Sequence, residues 1–81
     1  MLDDIRSVVA ATLQLGDRGR QLTAASPLLG AIPELDSMAV VSLLTALEER
    51  FDIVIDDDDI SAENLATLGT LVRFVEEKLT V

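Results

Sequence analysis

A chain of 81 residues, 49% of them hydrophobic, is expected to fold as one domain, 1–81, around a thin core. It contains neither His nor Cys, which removes the commonest general base, disulfides and thiolate metal sites. The whole net charge of −9 falls within residues 34–63, where ten acids face Arg50 alone; such a field repels nucleic acid, and it reads either as a solvated acidic surface that keeps a small protein soluble or as one that steers basic protein partners.

The opening Met1-Leu2-Asp3-Asp4 lacks the basic region of a secretory signal. No apolar run approaches the roughly 20 residues of a membrane helix. The expectation is a soluble, cytoplasmic protein. Residues 2–15 read as the first helix. Leu2, Ile5, Val9 and Leu13 recur at helical spacing with Val8 beside them, and Asp3 and Asp4 suit the positive end of its dipole. Gly16 follows where helices often stop. Residues 16–36 form a connection of unusual length for a compact domain. Leu22, Leu28, Leu29 and Ile32 are the anchors expected to pin it across the bundle.

Pro33 pushes the residue before it out of the α region, and Asp36 or Ser37 can cap a helix over 37–51. Leu43, Leu44, Leu47 and Phe51 form its expected core face. Met38 and Val41, with Thr45 one turn on, form a second stripe, which reads either as part of a broad core face or as a contact patch beside Ser37. Ile53-Val54-Ile55 suggests a short extended link. Asp56 to Asp59 then start a short third helix reaching about Glu63, with their charges at its positive end. A calcium loop counted from Asp56 would need glycine where Ser61 stands and glutamate where Thr67 stands, so no metal site is expected.

Thr67 can cap a last helix to about Leu79, with Leu68, Leu71, Val72, Val75 and Leu79 buried and Phe74 nearby. Gly69 in its first turn is mildly unfavourable. The stripes predict an all-α bundle of three main helices plus one short helix, with a long first loop. Leu13, Leu43, Leu47, Phe51, Val72 and Val75 are the predicted core.

Ser37 has no histidine to take its proton, no Gly-x-Ser-x-Gly elbow and no lysine near it in sequence. No catalytic residue is expected, and the chain does not read as an enzyme. Yet Asp36-Ser37-Met38 at the mouth of an amphipathic helix resembles the phosphopantetheine attachment site of acyl carrier proteins. The phrase Ala46 to Ile53, the acidic run Asp56 to Asp59 and the last amphipathic segment fall in that family's order, so the resemblance covers nearly the whole chain.

The resemblance implies an acyl-carrier-like fold and 4'-phosphopantetheine held covalently on Ser37, with Asp36 beside it. The arm's thiol, which the cysteine-free chain lacks, would carry an acyl group as a thioester between enzymes of lipid or polyketide synthesis. The helix N-terminus would favour the arm's phosphate. The implied partners are a phosphopantetheinyl transferase and ligases, synthases or acyltransferases with basic surfaces. They would meet Met38, Val41, Glu48 and Glu49 on what is expected to be a monomer. Fatty-acid carriers commonly have glycine and alanine before the Asp-Ser and acids after it; here Glu34, Leu35, Ala39 and Ser42 stand there. Leu35-Asp36-Ser37-Met38 is similar to specialised stand-alone carriers, including D-alanyl carriers served by an adenylating ligase. A small acidic helical adaptor without a prosthetic group is the reading from another class.

Overall fold

Ile5, Val9 and Leu13 lie along one side of helix α1 (Leu2–Leu13), and all three are buried in a computed structural model that describes residues 1–79. The last two positions of the expected domain lie outside the described residues. A single helical turn, α2 (Asp17–Arg20), interrupts the long first connection. Then follow α3 (Ser37–Phe51), a 3-10 turn (Asp57–Asp59) and α4 (Leu68–Leu79). No β-strand occurs among the described residues, only an isolated antiparallel bridge between Pro27 and Thr67. Helix α1 is the hub and packs against α2, α3 and α4. The all-α bundle of three main helices is therefore present.

The ends of the helices are set by local hydrogen bonds. Helix α1 stops two residues short of the expected Leu15. Gln14 turns into the left-handed region (φ 55°), and the Leu15 N–H donates to Ala10 O at 2.9 Å. This six-to-one bond is a Schellman stop, and its usual hydrophobic companion is Leu15, which is buried. Helix α3 ends the same way: Asp52 takes φ 54° and the Ile53 N–H donates to Glu48 O at 3.2 Å. At the start of α4, the Thr67 hydroxyl accepts the Thr70 N–H at 3.1 Å, while the Thr70 hydroxyl accepts the Thr67 N–H at 3.0 Å. Thr67 is thus the expected cap.

The first connection is laced down, which explains how so long a segment is tolerated. Leu28 N–H donates to Ala66 O and Leu29 N–H to Leu65 O, at 2.9 and 3.0 Å. In return, Ser26 O and Ala24 O accept the first N–H groups of α4, from Leu68 and Gly69, at 3.0 and 2.9 Å. Helix N-termini leave such donors unpaired, so the loop supplies what the helix lacks. Gly69 permits the approach, because a Cβ there would stand 2.8 Å from Ala24 O. At Gly19 a Cβ would stand 2.3 Å from Ala10 Cβ, so glycine is what lets α2 lie on α1. Of the expected loop anchors, Leu28 is wholly buried, Leu22 and Ile32 are partly buried, and Leu29 is 40% exposed.

Leu13, Leu43, Leu47, Val72 and Val75 are core, as predicted. Phe51 is not enclosed but half-buried against the core, because it is the last residue of α3 and its ring lies beside the exposed Arg50 guanidinium. Leu79, expected on the buried stripe, is 43% exposed at the end of α4. Phe74 is a full core member. The expected short third helix to Glu63 is only the 3-10 turn Asp57–Asp59, followed by turns over 62–65. Adjacent acids give an extended helix there no apolar stripe to bury.

Candidate functional site

The start of α3 is built by its capping residue. Asp36 sits in an extended conformation (φ −95°, ψ −175°), and its Oδ1 accepts the Ala39 N–H at 2.8 Å. Its carbonyl accepts the Val40 N–H at 2.9 Å, closing the first turn. Of the two candidate caps, Asp36 therefore does the capping. Leu35, just outside the cap, is buried, and Val40, four residues into the helix, is partly buried; these are the staple positions that fix the angle at which the chain comes in. Arg18 of α2 pairs with Glu34, tying the segment before the cap to the first connection.

Ser37 is consequently the first helical residue, exposed, and its hydroxyl makes no hydrogen bond among the described residues. Because Asp36 already serves the helix, the Ser37 hydroxyl is spare for chemistry done by another molecule. The serine stands at the lip of a cleft of about 480 Å³. One wall is α3 with Val40 and Val41. The facing wall is the segment from Ile60 to Leu65, and Leu29 and Leu35 of the first connection contribute to the lining. The lining is almost wholly apolar. No group of His, Cys, Asp and Glu able to hold a metal occurs among the described residues.

Met38 is 74% and Val41 58% exposed, and Thr45 is exposed with them. Of the two readings of this stripe, the broad core face fails, because the stripe faces solvent. Glu49 is also exposed. Glu48 is placed differently: it is half-buried, and its Oε2 accepts the Ile55 N–H at 2.9 Å. Its carboxylate and its carbonyl together organise the exit of α3, so structural work occupies a group expected only as a partner contact. Sequence reasoning missed the cleft wall, including Ile60, Ala62 and the buried Leu65. Isolated apolar residues between turns carry no periodicity that would mark them.

A family model described as "Phosphopantetheine attachment site" matches residues 3–75. The chain is 40% identical over 77 residues to an acyl carrier protein of a Sulfurovum species, covering 94% of this chain and 95% of that one. It is 39% identical over 82 residues to an acyl carrier protein of an Exiguobacterium species, covering 98% and 94%. It is also similar to the solution structure of a holo acyl carrier protein from Nitrosomonas europaea, with a TM-score of 0.92 and 56% identity over 99% of this chain and 96% of that one. The adaptor reading is thereby set aside: the protein is an acyl carrier with a covalent phosphopantetheine arm, not an enzyme, and its family interacts with phosphopantetheinyl transferases and acyl-handling enzymes. No helix among the described residues is long and apolar enough to cross a membrane. The chain belongs to the phosphopantetheine-attachment-site family.

Proposed function

We propose that Ser37 is the attachment point of the arm and that the cleft beside it receives the apolar part of the cargo. The observation that carries this is the pairing of an exposed, unengaged hydroxyl with a capping Asp36 at the mouth of α3. The residues fit the group: the first N–H groups of α3 and its dipole favour a phosphate on Ser37. When attached, the arm supplies the thiol on which an acyl group rides. The chain's own residues do the rest. Asp36 fixes the helix start, Ser37 offers the oxygen, and the apolar walls exclude water from a bound chain.

Partners with basic surfaces would dock on Met38, Val41 and Glu49, where exposed apolar atoms lie within the acidic region. Glu48 contributes charge to that region while its side chain holds the 52–55 link. The Sulfurovum and Exiguobacterium relatives are called acyl carriers, which favours an acyl cargo over an aminoacyl one. A cytoplasmic monomer is the form proposed, because the arm's donor, coenzyme A, is found there and the exposed stripe is assigned to successive partners. The test is incubation with coenzyme A and a broad-specificity phosphopantetheinyl transferase. Wild type should gain one phosphopantetheine mass and one maleimide-reactive thiol, while Ser37→Ala gains neither and keeps its helical circular dichroism. Arm uptake by Ser37→Ala would refute the assignment.

A further inference from the structure

The wall of the cleft that faces α3 has no helix to stiffen it. Between the 3-10 turn and α4, residues 60–66 are turns, a bend and irregular chain. Their C-terminal end is well anchored: Leu65 and Ala66 carbonyls accept loop N–H groups, and the Thr70 hydroxyl donates to Asn64 O at 3.2 Å. The N-terminal end is held by side chains. Glu48 grips the Ile55 N–H, and Asp59 is gripped by Lys78 from the last turn of α4, with Nζ 2.5 Å from Oδ2. The same Asp59 Oδ2 accepts the Asp56 N–H at 3.1 Å, and Asp59 O accepts from Asn64 Nδ2 at 2.7 Å. Asp59 thus joins α4, the acidic turn and the wall at one point, directly before Ile60. The Lys78 ammonium also lies 5.9 Å from the centre of the buried Phe74 ring, so its base is seated on the core. Six acids and no cation occupy residues 52–63, and among the described residues Lys78 is the cation paired with one of them. Like charges within this segment repel one another, and the Lys78–Asp59 pair offsets part of that repulsion.

We propose that Lys78 is a positioning residue that latches the 59–65 wall through Asp59 and so sets whether the cleft beside Ser37 is closed over an apolar chain or open to water. This rests on the carrier reading for its purpose, but not for its first test. Lys78 belongs to α4 and not to the α3 stripe assigned to partners, so a partner that draws Asp59 or Lys78 away would open the cleft without touching the cargo.

The experiment compares wild type with Lys78→Gln, Lys78→Arg and Asp59→Asn. In the arm-free protein, amide hydrogen exchange is read at residues 60–66 and, as a reference, at Val9 and Leu13 in α1. Lys78→Gln and Asp59→Asn should each speed exchange of the wall about threefold or more, leaving α1 within about twofold of wild type. The double variant should be no faster than either single one, and Lys78→Arg should stay near wild type. In the arm-bearing protein loaded with a dansyl-labelled octanoyl chain, Lys78→Gln should shift the dye emission to the red. Unchanged wall exchange, or equal acceleration in α1, overturns the latch. Faster wall exchange with unchanged emission overturns its link to the cleft. If the wild type takes up no arm, the attachment reading fails, and exchange alone still decides whether the latch exists.

Discussion

Leu47 reaches the centre of the bundle from α3 and is 0% exposed. Leu47→Ala removes about three buried CH₂ equivalents, worth roughly 2.4 kcal/mol in transfer free energy at about 0.8 each. The dispersion attraction forfeited around the vacated space brings such changes into a range of about 2–5 kcal/mol. A domain of this size holds about 4–12 kcal/mol in all, so the substitution removes a large share. Each kcal/mol moves the midpoint of a small domain by about 4–8 °C, so a loss of about 3 kcal/mol lowers Tm by about 12–24 °C. The control is Met38→Ala on the same helix, where the side chain is 74% exposed and little burial is sacrificed. Thermal melts by circular dichroism compare the two. A drop below about 5 °C for Leu47→Ala, or equal drops for both variants, would refute the core placement.

Gly69→Ala should lower Tm although alanine is the better helix former, because its Cβ meets Ala24 O at 2.8 Å; a rise in Tm would show that the loop is not seated there. Glu49→Lys should slow association with a transferase without moving Tm, whereas Glu48→Lys should lower Tm as well, since it loses the bond to the Ile55 N–H; stopped-flow association and melts separate the two effects. The Lys78 ammonium, and after it the Asp56 N–H, holds the Asp59 carboxyl below its ordinary 3.8, while Asp59 raises Lys78 above 10.5. A lowered carboxyl stabilises the fold above its ordinary value and loses that effect as pH falls through the folded value. A raised amine stabilises below 10.5 and loses the effect as pH climbs past its folded value. The melts of wild type and Lys78→Gln should therefore differ most near neutrality and converge below pH 3.8 and above 10.5; a gap of constant size across pH would contradict the pairing.

Period made most of the bundle legible. Ile5, Val9 and Leu13, or Leu43, Leu44 and Leu47, announce a buried stripe because a helix must bury one face, and all are buried. The candidate site was legible for a different reason: Pro33, Asp36 and Ser37 combine a turn, a cap and a hydroxyl within five residues. Residues fixed by tertiary pairing were not legible. Leu65, Ile60 and Leu29 line the cleft from segments without a repeat, and their place depends on loop-to-loop hydrogen bonds. Leu15 reads as one more helical residue, although it closes the helix from outside as the buried partner of a Schellman turn. Glu48 reads as surface charge, and only the fold of the 52–55 link shows its carboxylate capping a backbone N–H. The exposed stripe of Met38 and Val41 was ambiguous in sequence because an apolar side chain reports what it can bury, not what covers it.

Whether the oxygen of Ser37 alone carries the arm can be read directly from the protein's own peptides. The arm-bearing protein, cut with trypsin after Arg20 and Arg50, gives one peptide of residues 21–50 that holds Thr23, Ser26, Ser37, Ser42 and Thr45. Fragmentation of that peptide in a mass spectrometer reads which hydroxyl bears the added phosphopantetheine mass. Fragments ending before Ser37 should be unmodified, and the mass step should fall at Ser37. A step at any of the other four hydroxyls, or the added mass on a peptide outside residues 21–50, would contradict the assignment.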